Sequence, residues 1–106
     1  MKNIVTQYFD RWNCQDLDGL RSLFTSDVTL KDWEIEVTGV EEVVQANANI
    51  FSNFPKIKAE IIQLGFEDNL VFAELIIHLN EQEKISVVDV LSIESDKIRR
   101  IQAYKC

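Results

Sequence analysis

The sequence predicts an α+β domain: three helices, interrupted by one early strand region, followed by four longer strands in a mainly antiparallel sheet. Two patterns carry this. Apolar residues recur at helical spacing through most of the first half, and alternate with polar residues between short polar turns in the second. A third observation bears on function. Tyr8, Asp32 and Asp89 interrupt apolar faces that should meet between the helices and the sheet.

Residues 3–13, NIVTQYFDRWN, put Ile4, Val5, Tyr8, Phe9 and Trp12 on one helical stripe with an aromatic inner face. DLDGLRSLF fits a second, short helix with Asp16 as N-cap and Leu17, Leu20, Leu23 and Phe24 turned inward. TSD then breaks the pattern. DVTLKDWEIEVTG reads as a strand or a bent pair of strands, on which Val28, Leu30 and Asp32 share a face. Thr38-Gly-Val-Glu41 has capping-box spacing ahead of a third helix that would bury Val40, Val43, Val44, Asn47, Ile50 and Phe51. Pro55 follows, where a helix cannot easily continue. Residues 57–66, 69–80, 85–93 and KIRRIQAYK then form four strands joined by short turns, for which an antiparallel meander is the economical arrangement.

The strand ISVVDVLSI holds the most informative residue. Ile85, Val87, Asp89, Leu91 and Ile93 share one face, apolar except at its centre. Burying an unpaired carboxylate is costly, so Asp89 needs an account. It could accept a hydrogen bond from Tyr8 as a fixed structural pair. Alternatively, three polar groups aimed into one apolar space define a ligand pocket. The only histidine, His78, and Glu74 lie on the opposite face of their strand from Val71, Ala73, Leu75 and Ile77, and should face outward. A one-residue register slip would instead turn Glu74 toward Asp89.

Bulk properties narrow the function classes. A chain of 106 residues, 46% hydrophobic and 27% charged, suits one domain spanning residues 1–106. A net charge of −7 opposes binding to nucleic acid or anionic membrane. The apolar runs are too short for a bilayer span, and MKNIVTQYFDRW turns polar too soon for a signal peptide, so a cytoplasmic protein is expected. Cys14 and Cys106 lack metal-ligand spacing and are expected as reduced thiols. No hydrolase-elbow, P-loop or dinucleotide fingerprint occurs.

The segment IVTQYFDRWNCQDLDGLRSLFTSDVTLKDW resembles the opening of the ketosteroid isomerase and SnoaL-like families of the nuclear-transport-factor-like superfamily, and ISVVDVLSIESDKIRRIQAYK resembles their last two strands. The resemblance implies a cone-shaped, cystatin-like fold, with the helices on a curved sheet. It implies Asp32 as proton-shuttling base, Tyr8 as oxyanion-hole donor and Asp89 as an aspartic acid that stays protonated and donates a second hydrogen bond. Trp33 stands where the family has a proline, which reshapes or fills the mouth. The short hairpin after ISVVDVLSI, together with a short C-terminal tail, disfavours a flat four-ring substrate. A smaller enone, β-keto acid or polyketide-like compound fits better, contacting Phe9, Trp12, Phe24, Trp33, Phe51, Phe54 and Leu91. Neither cofactor nor metal is implied. A homodimer resembles the behaviour of the family, and the outer sheet face, with Phe72, Ile76, Val88 and Val90, is a semi-apolar surface suited to pairing with a second copy. The fold also hosts non-catalytic binders and interaction proteins, so a binding module with the same pocket is the alternative.

Overall fold

The structure, a computed structural model, describes residues 2–106. Its order is α1 (Lys2–Asn13), α2 (Leu17–Leu23), β1 (Phe24–Lys31), β2 (Glu36–Thr38), α3 (Val40–Asn53), β3 (Lys58–Glu67), β4 (Leu70–His78), β5 (Lys84–Glu94) and β6 (Lys97–Lys105). The six strands form one sheet in the order β2-β1-β6-β5-β4-β3. The expected meander is present from β3 to β6, and among the described residues the only parallel pair is β1 with β6. None of the described helices is long and apolar enough to cross a membrane.

The helical stripe of α1 buries Val5, Tyr8, Phe9 and Trp12. Asp16 caps α2 as its position suggests, accepting a hydrogen bond from the Gly19 amide at 2.9 Å. Two local expectations fail. TSD ends the helical pattern but forms no loop: Phe24 leaves α2 directly in an extended conformation, and Thr25 to Asp27 already lie within β1, which starts ahead of the expected Asp27. A register irregularity between Phe24 and Thr29 absorbs this abrupt entry. Nor does Thr38 form a capping box. The residue before α3 is Gly39, with φ of 97° and no side-chain cap. A Cβ there would meet nothing within 4 Å, so the cost of Gly39→Ala is backbone strain alone. We expect a loss of about 1 kcal/mol in urea unfolding.

The core fills the space between helices and sheet. Leu20, Val43, Val71, Leu91 and Ile98 are wholly buried there. Each such aliphatic side chain contributes about 1.5–3 kcal/mol through removal of apolar surface from water. The β4–β5 register pairs Ala73 with Asp89 and Glu74 with Val88, so Glu74 faces away from the core, as does His78, whose Nε2 lies 2.9 Å from Glu60 Oε1. The slipped register is not adopted.

Candidate functional site

The inner face of the sheet divides into a sealed half and a hollow half. Phe24, Val28, Val71, Ala73, Leu91, Ile93 and Ile98 fill the sealed half under the helices. Beyond them opens a cavity of about 310 Å³, to which β4 gives Leu75 and Ile77, β5 gives Ile85, Val87 and Asp89, and β6 gives Ile101, Ala103 and Lys105. Of the β5 residues that line the cavity, Asp89 is the nearest to the sealed half. Its cross-strand neighbours are Ala73 and Ala103, short side chains that leave space beside the carboxyl group.

Helix α1 roofs the hollow with Tyr8, Phe9 and Trp12, and α3 adds Asn47, Ile50 and the capping Phe54. Tyr8 packs edge-on to Phe9 at 5.0 Å and tilted against Phe24 at 6.1 Å. Trp12 is fixed twice. Its Nε1 donates to Asn47 Oδ1 at 3.0 Å, and its ring meets Phe51 edge-on at 5.3 Å. Asn47 in turn donates through Nδ2 to the Val43 carbonyl at 3.1 Å.

Tyr8 and Asp89 are both buried, and neither side chain hydrogen-bonds to any other among the described residues. The fixed Tyr8–Asp89 pair is therefore not formed. Two polar groups face the hollow with their hydrogen-bonding capacity unused, although buried groups ordinarily find partners. Burial pushes the Asp89 carboxyl up from 3.8 to about 7, with a smaller push from the charge of Asp32. Burial also raises the Tyr8 hydroxyl, with the charge of Asp89 adding to it. Near neutrality Tyr8 is a hydrogen-bond donor, and Asp89 is divided between donor and acceptor states.

Asp32 reaches the cavity by a different route from the one strand alternation suggests. It lies just beyond β1, in the turn to β2, where its Oδ1 accepts from the amides of Glu34 at 2.7 Å and Ile35 at 2.6 Å. That Asx-type turn fixes the carboxylate at the cavity wall. Its other oxygen has no hydrogen-bond partner among the described residues. Beside it Trp33, 44% exposed, and Phe54, 37% exposed, stand at the mouth. The Lys105 ammonium sits 5.8 Å from the centre of the Trp33 ring and forms no ion pair among the described residues.

Of the residues predicted to contact a ligand, Phe9, Trp12, Trp33 and Phe54 line the cavity together with Tyr8, Asp32 and Asp89. Phe24, Phe51 and Leu91 do not. Phe24 backs Tyr8 and Phe51 backs Trp12, while Leu91 is one strand repeat too deep and wholly buried. Sequence reasoning missed Glu34, Lys105 and Asn47 as lining residues. Asn47 had a readable signal, as the one polar side chain on the buried stripe of α3. Lys105 had none, because its relation to Trp33 depends on tertiary packing.

This helix-on-sheet architecture, with its hollow between α1, α3 and the meander, is that of the cystatin-fold and nuclear-transport-factor-like proteins. Residues 5–101 match the family model of the SnoaL-like domain, and the chain belongs to that family. A candidate polyketide cyclase from Sinorhizobium meliloti is similar in structure, with TM-score 0.88, 19% identity, and coverage of 95% of this chain and 93% of that one. An uncharacterized cystatin-fold protein from Novosphingobium aromaticivorans has TM-score 0.85 and 24% identity, over 95% of this chain and 94% of its own. A protein with a ketosteroid isomerase-like fold from Catenulispora acidiphila, solved with trimethylamine, has TM-score 0.85 and 20% identity, over 95% and 83% of the two chains. At these identities the likeness is one of fold. No curated protein matches the chain.

Proposed function

We propose that the cavity is the active site of a small cofactor-independent enzyme that moves a proton α to the carbonyl of a small apolar compound. The observation that carries this is the pairing of two unused polar groups, Tyr8 and Asp89, with a carboxylate at the wall, Asp32, around one largely apolar hollow. Asp32 takes a proton from the carbon next to the carbonyl, and the carbonyl oxygen becomes an enolate oxygen. The Tyr8 hydroxyl and protonated Asp89 donate hydrogen bonds to that oxygen in a largely apolar site. Asp32 then returns the proton to another carbon of the same molecule. A cavity of about 310 Å³ is at the lower end of the range for ligand sites, roughly 300–1,000 Å³, and favours one- or two-ring ketones or keto acids over steroids. The similar fold of the Sinorhizobium cyclase candidate agrees with such carbonyl chemistry.

The proposal includes a cytoplasmic location, which the free, exposed thiols of Cys14 and Cys106 suit. It also includes pairing with a second copy through the outer face, where Phe72 is exposed and Ile76, Val88 and Val90 are half-buried. Exchange of α-hydrogen for deuterium in a panel of small cyclic ketones and enones, followed by NMR, is the direct test. Asp32→Asn should slow the exchange by about 10²–10⁴-fold. Equal exchange by the variant on every accepted ketone rules the mechanism out. A non-catalytic binder is the second reading. It is favoured by the commitment of Asp32 Oδ1 to its own turn, which leaves Tyr8 and Asp89 as the freer ligand contacts.

A further inference from the structure

We infer that the same cavity binds lipophilic organic ammonium ions, with Asp89 as the counter-ion and the aromatic roof as the surrounding cage. This goes beyond proton transfer and does not depend on it. Three observations carry it. Asp89 is 8% exposed, lines the hollow and has no hydrogen-bond partner among the described residues, so its carboxyl group is open to a guest. The roof and mouth supply Tyr8, Phe9, Trp12, Trp33 and Phe54, the ring types whose faces attract cations. Trp33 already holds a cation over its face, the ammonium of Lys105 at 5.8 Å.

The charges around the hollow point the same way. Facing it are Tyr8 from α1, Asp32 and Glu34 from the β1–β2 turn, Asp89 from β5 and Lys105 from β6. The elements α3, β3 and β4 bring Asn47, Ala59, Leu75 and Ile77, none of which titrates. Three acids therefore stand against one base, on a chain of net charge −7 that draws cations toward its surface. A carboxylate buried among apolar groups is costly when alone, and a cation entering beside it supplies the missing partner. Binding shifts Asp89 to its ionised form and releases its proton to solvent.

Protonation of Asp89 thus selects the guest. The neutral acid donates to a carbonyl oxygen, whereas the carboxylate accepts an ammonium group.

Benzyltrimethylammonium, a cation at every pH, is a suitable probe, with benzyl alcohol as the neutral comparison, both followed by titration calorimetry. Affinity for the cation should rise roughly tenfold per pH unit from about pH 5 to about 7, then level off, with close to one proton released per cation at the acid end. Benzyl alcohol should show no such rise. Asp89→Asn should abolish the pH dependence and weaken the cation at least about tenfold at pH 8, while Glu74→Gln, on the outward face of β4, should leave both the affinity and its pH dependence as they are. A flat profile for the wild type, equal affinity in Asp89→Asn, or no cation binding overturns the inference. The proton count on the wild type decides it without any variant.

Discussion

Replacing Asp89 with asparagine should stabilise the protein at neutral and higher pH while leaving it nearly unchanged near pH 4. The folded chain holds the Asp89 proton up to about pH 7, whereas an unfolded aspartate releases it near 3.8. Between those values the native state binds more protons than the unfolded one, so stability falls as pH rises. The favourable contribution of the neutral acid is full below about 3.8 and gone above about 7. A separation of that size corresponds to on the order of 4 kcal/mol at one unit per 1.36 kcal/mol. Asparagine has no proton to lose and no charge to set against Asp32, so it escapes this cost. Urea unfolding of both proteins from about pH 4 to pH 9 checks it, since the other titrating groups cancel in the difference. Parallel stability curves across that range would show that Asp89 titrates as an ordinary carboxylate.

The second large effect belongs to the sealed half. Leu91 is wholly buried, paired across the sheet with Val71 on one side and Ile101 on the other. Leu91→Ala removes its burial and leaves a void that rigid neighbours close only in part, which costs about 2–5 kcal/mol. Binding at the hollow, measured per folded molecule, should not change, because Leu91 is outside the cavity wall. Phe54→Ala should do the reverse. Phe54 is 37% exposed at the mouth, so its loss weakens a ligand more than it weakens the fold. Loss of ligand affinity in folded Leu91→Ala would show the two halves to be coupled.

These two residues also show how far the sequence could be read. Alternation in ISVVDVLSI assigned Asp89 and Leu91 to the same inner face, and both are there, because the period of a strand is set by its own backbone. Alternation says nothing of depth. Which inward residues meet a cavity depends on how far α1 and α3 reach over the sheet, and that is decided by packing between distant segments. Phe24 and Phe51 were misjudged as wall residues for the same reason: each lies behind another ring rather than in front of it. The case of Asp32 differs. Strand parity brought it to the cavity, but the chain has already left β1 there, and an Asx-type turn does the positioning. An aspartate two and three residues before the amides it caps was a local signal that strand counting passed over. At Thr38 the opposite error occurred, since capping-box spacing matched the sequence while the positive φ of Gly39 set the helix start.

The parallel pairing of β1 with β6 carries a consequence for biogenesis. Leu30 is partnered with Ile101, so the strand that completes the middle of the sheet is made long after the segment it joins. While a ribosome is still translating the meander, α1, α2 and β1 have only one another, β2 and α3 to rest on. Bringing such remote segments together carries a loop-closure entropy that local contacts have not yet offset. The N-terminal half therefore waits, joined to the rest of the sheet only when β6 arrives to pair with β1.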